Sequence, residues 1–89
     1  THDGRIREFR DMLGEVLTEL DSRLSFHDFR MVDGVEHINL IFDLVVPREY
    51  KAAVQDNLKA RISAAVRKRD PRCACVITVE NSYLAEAQK

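Results

Sequence analysis

The sequence predicts an α+β sandwich: a three-stranded mixed sheet carrying two helices on one face. Three observations point to it. Residues 4–21 and 49–69 repeat their apolar side chains at helical spacing. Residues 24–32, 37–46 and 73–80 are short, rich in apolar, aromatic or β-branched residues, and free of Pro and Gly. Asp33-Gly34 and Pro47 stand where the first two of those runs should end.

In the first helix the stripe is Ile6, Phe9, Leu13, Val16, Leu17 and Leu20. These share one face at 3.6 residues per turn. Gly14 weakens the helix by about 1 kcal/mol relative to Ala, and Asp21-Ser22 closes it. The first strand, LSFHDFRMV, runs into Asp33-Gly34. Asp-Gly between apolar runs is a hairpin signal, because Gly supplies the positive φ that a tight turn needs. The second arm is HINLIFDLVV, stopped by Pro47, which cannot donate to a ladder. The second helix carries Tyr50, Val54, Leu58, Ile62, Ala65 and Val66, and Asp70-Pro71 ends it. CACVITVE is the third strand, and the last residues, 82–89, read as a frayed tail.

The order is αββαβ. A strand, a long helix and another strand imply a right-handed crossover and a parallel pair. The result is a truncated ferredoxin-like sandwich. The second face of its sheet has no cover and is not wholly polar, which points to a partner.

With 89 residues the chain is a single domain spanning 1–89. One this small buries only about 60–65% of its unfolded surface, so a partner subunit would help it. Net charge is −1, with 33% charged residues; there is no basic excess of the kind that nucleic acid attracts. The longest apolar run, LIFDLVV, has seven residues including Asp43, against the roughly 20 that span a bilayer. The start, THDGRIREFRD, is charged throughout and lacks Met. It reads as a piece cut from a longer chain with no signal peptide. Cys73 and Cys75, two apart on a strand, are poorly placed for a bridge, which fits a reducing compartment.

Few residues carry chemistry. Adjacent strand residues face opposite sides, so His27 and Asp28 cannot clasp one ion from a regular strand. Asp43 interrupts a run where a sheet interior prefers Val, so its carboxylate must be paired, metal-bound or on the open face. His37, Asn39, Ile41, Asp43 and Val45 share one parity; Ile38, Leu40, Phe42, Leu44 and Val46 form the core face. The first set offers imidazole, amide and carboxylate, ligands for zinc, manganese or iron(II). The turn decides whether His27 joins them. A two-residue Asp-Gly turn pairs His27 with Leu40, in the core. A three-residue loop with a Gly bulge pairs it with Asn39, beside Asp43. The two thiols lack further ligands at recognisable spacing and read as small apolar strand residues. No phosphate loop and no nucleophile–base constellation appears, so no enzyme is expected.

HDFRMVDG, then HINLIFDLVVP, a helix and VITVENSY together resemble the cytoplasmic C-terminal domain of cation diffusion facilitator transporters, over about residues 4–83. The resemblance implies an αββαβ homodimer at the cytoplasmic face of the membrane, attached to its own transmembrane domain that exchanges divalent cations for protons. It also implies metal binding near the dimer interface. His27 falls on the His of the family's His-Asp element, and Asp43 on a second-strand ligand that is often His. Asp is the harder donor and tilts the site towards manganese or iron. Where zinc-transporting members carry a His and an acid at the end of the last strand, this chain has Val79 and Asn81. Their second-helix His has no counterpart in AAVQDNL. A relocated metal site of His27, His37 and Asp43 is one expectation; a domain that dimerises without sensing metal is the other. The competing expectation is a free-standing ferredoxin-like module that binds a small molecule. Such modules place a Gly-rich turn between strand and helix, where this chain has Val46-Pro47-Arg48-Glu49.

Overall fold

The computed structural model describes residues 2–81, with side chains from residue 4 onward; the expected frayed tail, 82–89, lies outside the described residues. The elements run α1 (His2–Leu20), β1 (Ser25–Asp33), β2 (Ile38–Val46), α2 (Ala52–Arg69) and β3 (Cys73–Asn81). The sheet order is β1-β2-β3, with β1 antiparallel and β3 parallel to β2. This is the αββαβ sandwich that the sequence predicts.

The central strand shows why the layers form. Ile38, Leu40, Phe42, Leu44 and Val46 are all buried, while the residues between them are half-buried. Period-2 alternation therefore puts five apolar side chains on one face. Leu13, Val16 and Leu17 of α1 and Leu58, Ile62 and Val66 of α2 close over that face into a single core. Phe42 is 1% exposed and Ile62 fully enclosed. Val54, expected in the α2 stripe, is exposed. It lies in the first turn of α2. Tyr50, expected at the start of that helix, precedes it in a turn where its N–H donates to Pro47 O at 3.0 Å.

Side-chain bonds tie the ends together. The Tyr50 hydroxyl donates to Asp21 and accepts from Arg23 Nη2 at 2.5 Å, which joins the α1–β1 turn to the β2–α2 turn. Arg69 reaches from the end of α2 to Glu15 (2.9 Å) and Glu19 (3.3 Å) on α1. Such exposed pairs orient the helices more than they stabilise them.

The hairpin corrects both turn expectations. The β1–β2 loop comprises residues 34–37, and Asp33 pairs with Ile38. Gly34 has no positive φ. It is needed for a different reason: a Cβ there would stand 2.9 Å from the His37 carbonyl oxygen, which accepts the Gly34 N–H at 2.7 Å. His37 consequently belongs to the loop, not to β2.

Candidate metal centre

Between Met31 and Phe26, β1 departs from strict alternation. Phe26, Phe29 and Met31 all pack on the core, so their spacing is three and then two. Phe26 stacks edge-on against Phe42 at 6.0 Å and against Phe29 at 5.9 Å. Keeping both rings inside requires one extra residue between them. The ladder shows it: His27 pairs with Asp43 and Arg30 with Ile41, so Asp28 and Phe29 together oppose Phe42. This is a β-bulge. Asp28 absorbs it at φ 56°, a left-handed conformation that Asp tolerates better than most residues because its short side chain bonds locally.

The bulge removes the geometric objection to an adjacent His-Asp pair. His27 Nδ1 lies 3.0 Å from Asp28 Oδ2 and 3.7 Å from Asp43 Oδ2. One ligand atom from each of His27, Asp28 and Asp43 falls within 4.8 Å of the others. Donors bound at about 2.1 Å in a tetrahedral arrangement sit about 3.4 Å apart, so the two shorter separations bracket the spacing one ion requires. A nitrogen and two carboxylates suit zinc, manganese or iron(II). A depression of about 440 Å³, lined by Asp28, Phe29, Arg30 and Asp43, adjoins the group. It leaves room for an ion with its remaining waters.

The other side of the ring is occupied. Glu80, from β3, approaches His27 Nε2 to 2.5 Å. Three carboxylates thus surround one imidazole. The Glu80 bond first, and the Asp28 bond second, push the His27 pKa above its ordinary 6.5.

Of the expected ligands, the fold brings His27 and Asp43 together. It leaves His37 exposed in the hairpin loop, about 20 Å along the chain from Asp43 at ~3.3 Å per residue. Neither expected turn register occurs, yet His27 still faces Asp43, because the longer loop and the bulge shift the strand together. Two site residues escaped the sequence reading. A regular strand sends Asp28 to the side opposite His27; the three-residue spacing of Phe26 and Phe29 is the sequence signal for the irregularity that brings the two together. Glu80 lies between Val79 and Asn81, the two positions to which the resemblance points. Its parity with Ala74, Val76 and Thr78 places it on the uncovered face. Cys73 and Cys75 are free thiols on the core side; burial pushes the Cys75 pKa up to about 11, as befits inert packing residues.

No protein-family model and no curated protein matches the chain. Solved structures do. A domain described as a candidate zinc transporter, CzrB, superposes with a TM-score of 0.76 at 22% identity, covering 88% of this chain and 93% of that one. Its Zn form gives 0.78 at 21% identity, over 90% and 88% of the two chains. The metal-bound C-terminal domain of the CzcD transporter from Thermotoga maritima gives 0.74 at 19% identity, over 84% and 88%. The chain shares its fold with these transporter domains over nearly its whole length. No described helix is long and apolar enough to cross a membrane.

Proposed function

We propose that this chain is the C-terminal regulatory domain of a cation diffusion facilitator transporter, lying at the cytoplasmic face of the membrane, and that it senses a divalent cation through His27, Asp28 and Asp43. One observation carries the reading: a β-bulge turns two adjacent residues of β1 and one of β2 onto the same point, with donor separations of 3.0 and 3.7 Å. That the same fold has been solved in a Zn form and in a metal-bound form supports it. The group resembles no catalytic arrangement, so the domain is read as a sensor and not an enzyme.

The function is linkage. Two copies pair through the uncovered sheet face, where Val32 and Val76 are about half exposed. A metal that prefers the closed pair tenfold contributes about 1.4 kcal/mol per site. Two sites then shift the population without making an all-or-none switch. The carboxylate-rich donor set favours manganese or iron(II) over zinc relative to a histidine-rich site.

Calorimetric titration of the domain with Zn²⁺ and Mn²⁺, wild type beside Asp43→Ala, tests the site. Saturable binding that disappears in the variant is the expected result. A folded domain that takes up neither ion overturns it. Sedimentation with and without the metal tests the pairing.

A further inference from the structure

His27 offers two nitrogens, and the fold treats them differently. Nδ1 faces Asp28 and Asp43 at 3.0 and 3.7 Å, while Nε2 meets Glu80 at 2.5 Å. The ligand group that converges on one point contains His27, Asp28 and Asp43 but not Glu80. Glu80 comes from β3, on the far side of β2, and grips the edge of the ring opposite that point.

We propose that Glu80 is a positioning residue: it holds the Nε2 proton of His27 so that Nδ1 presents its lone pair to a divalent cation between Asp28 and Asp43. The inference rests on the sensor reading above, and adds to it a residue that does not touch the ion. A neutral imidazole carries one proton, and a strong acceptor at one nitrogen decides which nitrogen keeps it. A carboxylate at Nε2 therefore fixes the tautomer, fixes the ring plane and raises the basicity of Nδ1 as a ligand. The His27 side chain is 45% exposed, so burial alone does not fix its ring, and each restraint on it lowers the rotamer entropy lost on binding. The arrangement also ties the metal point to all three strands: His27 and Asp28 on β1, Asp43 on β2, Glu80 on β3.

The test uses Zn²⁺ as probe and long-range ¹H–¹⁵N spectra of the imidazoles as readout. In the wild type the metal should shift Nδ1 of His27 into the metal-bound range and leave Nε2 protonated. Glu80→Gln, which still offers an amide oxygen, should bind about tenfold more weakly, and Glu80→Ala up to about 100-fold, with the number of ions unchanged. In Glu80→Ala the proton of the free ring should move to Nδ1, where Asp28 at 3.0 Å is then the remaining acceptor. A merely structural Glu80 would alter stability without altering the tautomer. Metal on Nε2, fewer ions bound in Glu80→Ala, or a Glu80→Ala domain with unchanged affinity and unchanged tautomer overturns the proposal while leaving the sensor reading intact. If Zn²⁺ moves no His27 resonance in the wild type, the sensor reading falls, and this inference with it.

Discussion

Asp28 is the residue on which the site geometry turns, and its backbone offers a direct check. At φ 56° a residue with a Cβ carries a penalty of about 1–2 kcal/mol, which glycine does not. Glycine in turn loses about 0.5–1 kcal/mol through the greater freedom of its unfolded chain. Compare Asp28→Ala with Asp28→Gly. Both delete the carboxylate, so the lost contact to His27 cancels between them. The remainder is the left-handed penalty less the glycine entropy, about 1 kcal/mol in favour of Gly. In urea, with a slope near 1 kcal/mol per molar for so small a domain, the alanine variant should unfold about 1 M earlier than the glycine variant. Both should lose metal binding. Coincident unfolding midpoints, or a more stable alanine variant, would mean that β1 carries no bulge at Asp28. The convergence of His27 with Asp28 would then have no structural basis.

Three further outcomes follow from the packing and the charges. Phe42→Ala removes a ring that is 1% exposed and should cost about 3–5 kcal/mol, enough to leave the domain largely unfolded by circular dichroism. Gly14 and Gly34 should behave oppositely in thermal melts. Gly14→Ala meets nothing within 4 Å and should stabilise by about 1 kcal/mol, whereas Gly34→Ala forces a Cβ to 2.9 Å from a backbone oxygen and should lower the melting temperature. His27, whose folded pKa is raised above 6.5 by Glu80 and then Asp28, favours the folded state only as an imidazolium. That contribution is complete below the unfolded value and is lost as pH rises through the folded one. The metal-free wild type should therefore lose stability above about pH 6.5 in a way that His27→Gln does not, while metal affinity climbs over the same range as the competing proton leaves.

How much of this could be read from the chain differs element by element. Leu40, Phe42 and Leu44 announce a buried strand face because burial is a matter of period, and period is written locally. The helical stripe of Leu13, Val16 and Leu17 is equally local. Val54 fits the same pattern and is nevertheless exposed, because a stripe says which side of a helix is apolar, not how far the partner layer extends. Asp43 is conspicuous as a carboxylate within LIFDLVV, whereas His27 enters the expected ligand set through the family resemblance. His37 was equally plausible by parity, and the four-residue loop took it out of the strand.

By itself, then, the sequence determined the αββαβ order and the core face of β2, since each depends on spacing within one segment. Only the tertiary structure decided the hairpin register, the bulge at Asp28 and the arrival of Glu80. The register depends on where two strands find their best mutual packing, here the wish of Phe26 and Phe29 to share one core with Phe42. Glu80 lies 53 residues from His27 in the chain and reaches it because a parallel crossover lays β3 beside β2. A contact between non-adjacent strands is a property of the assembled sheet, and no single strand carries it.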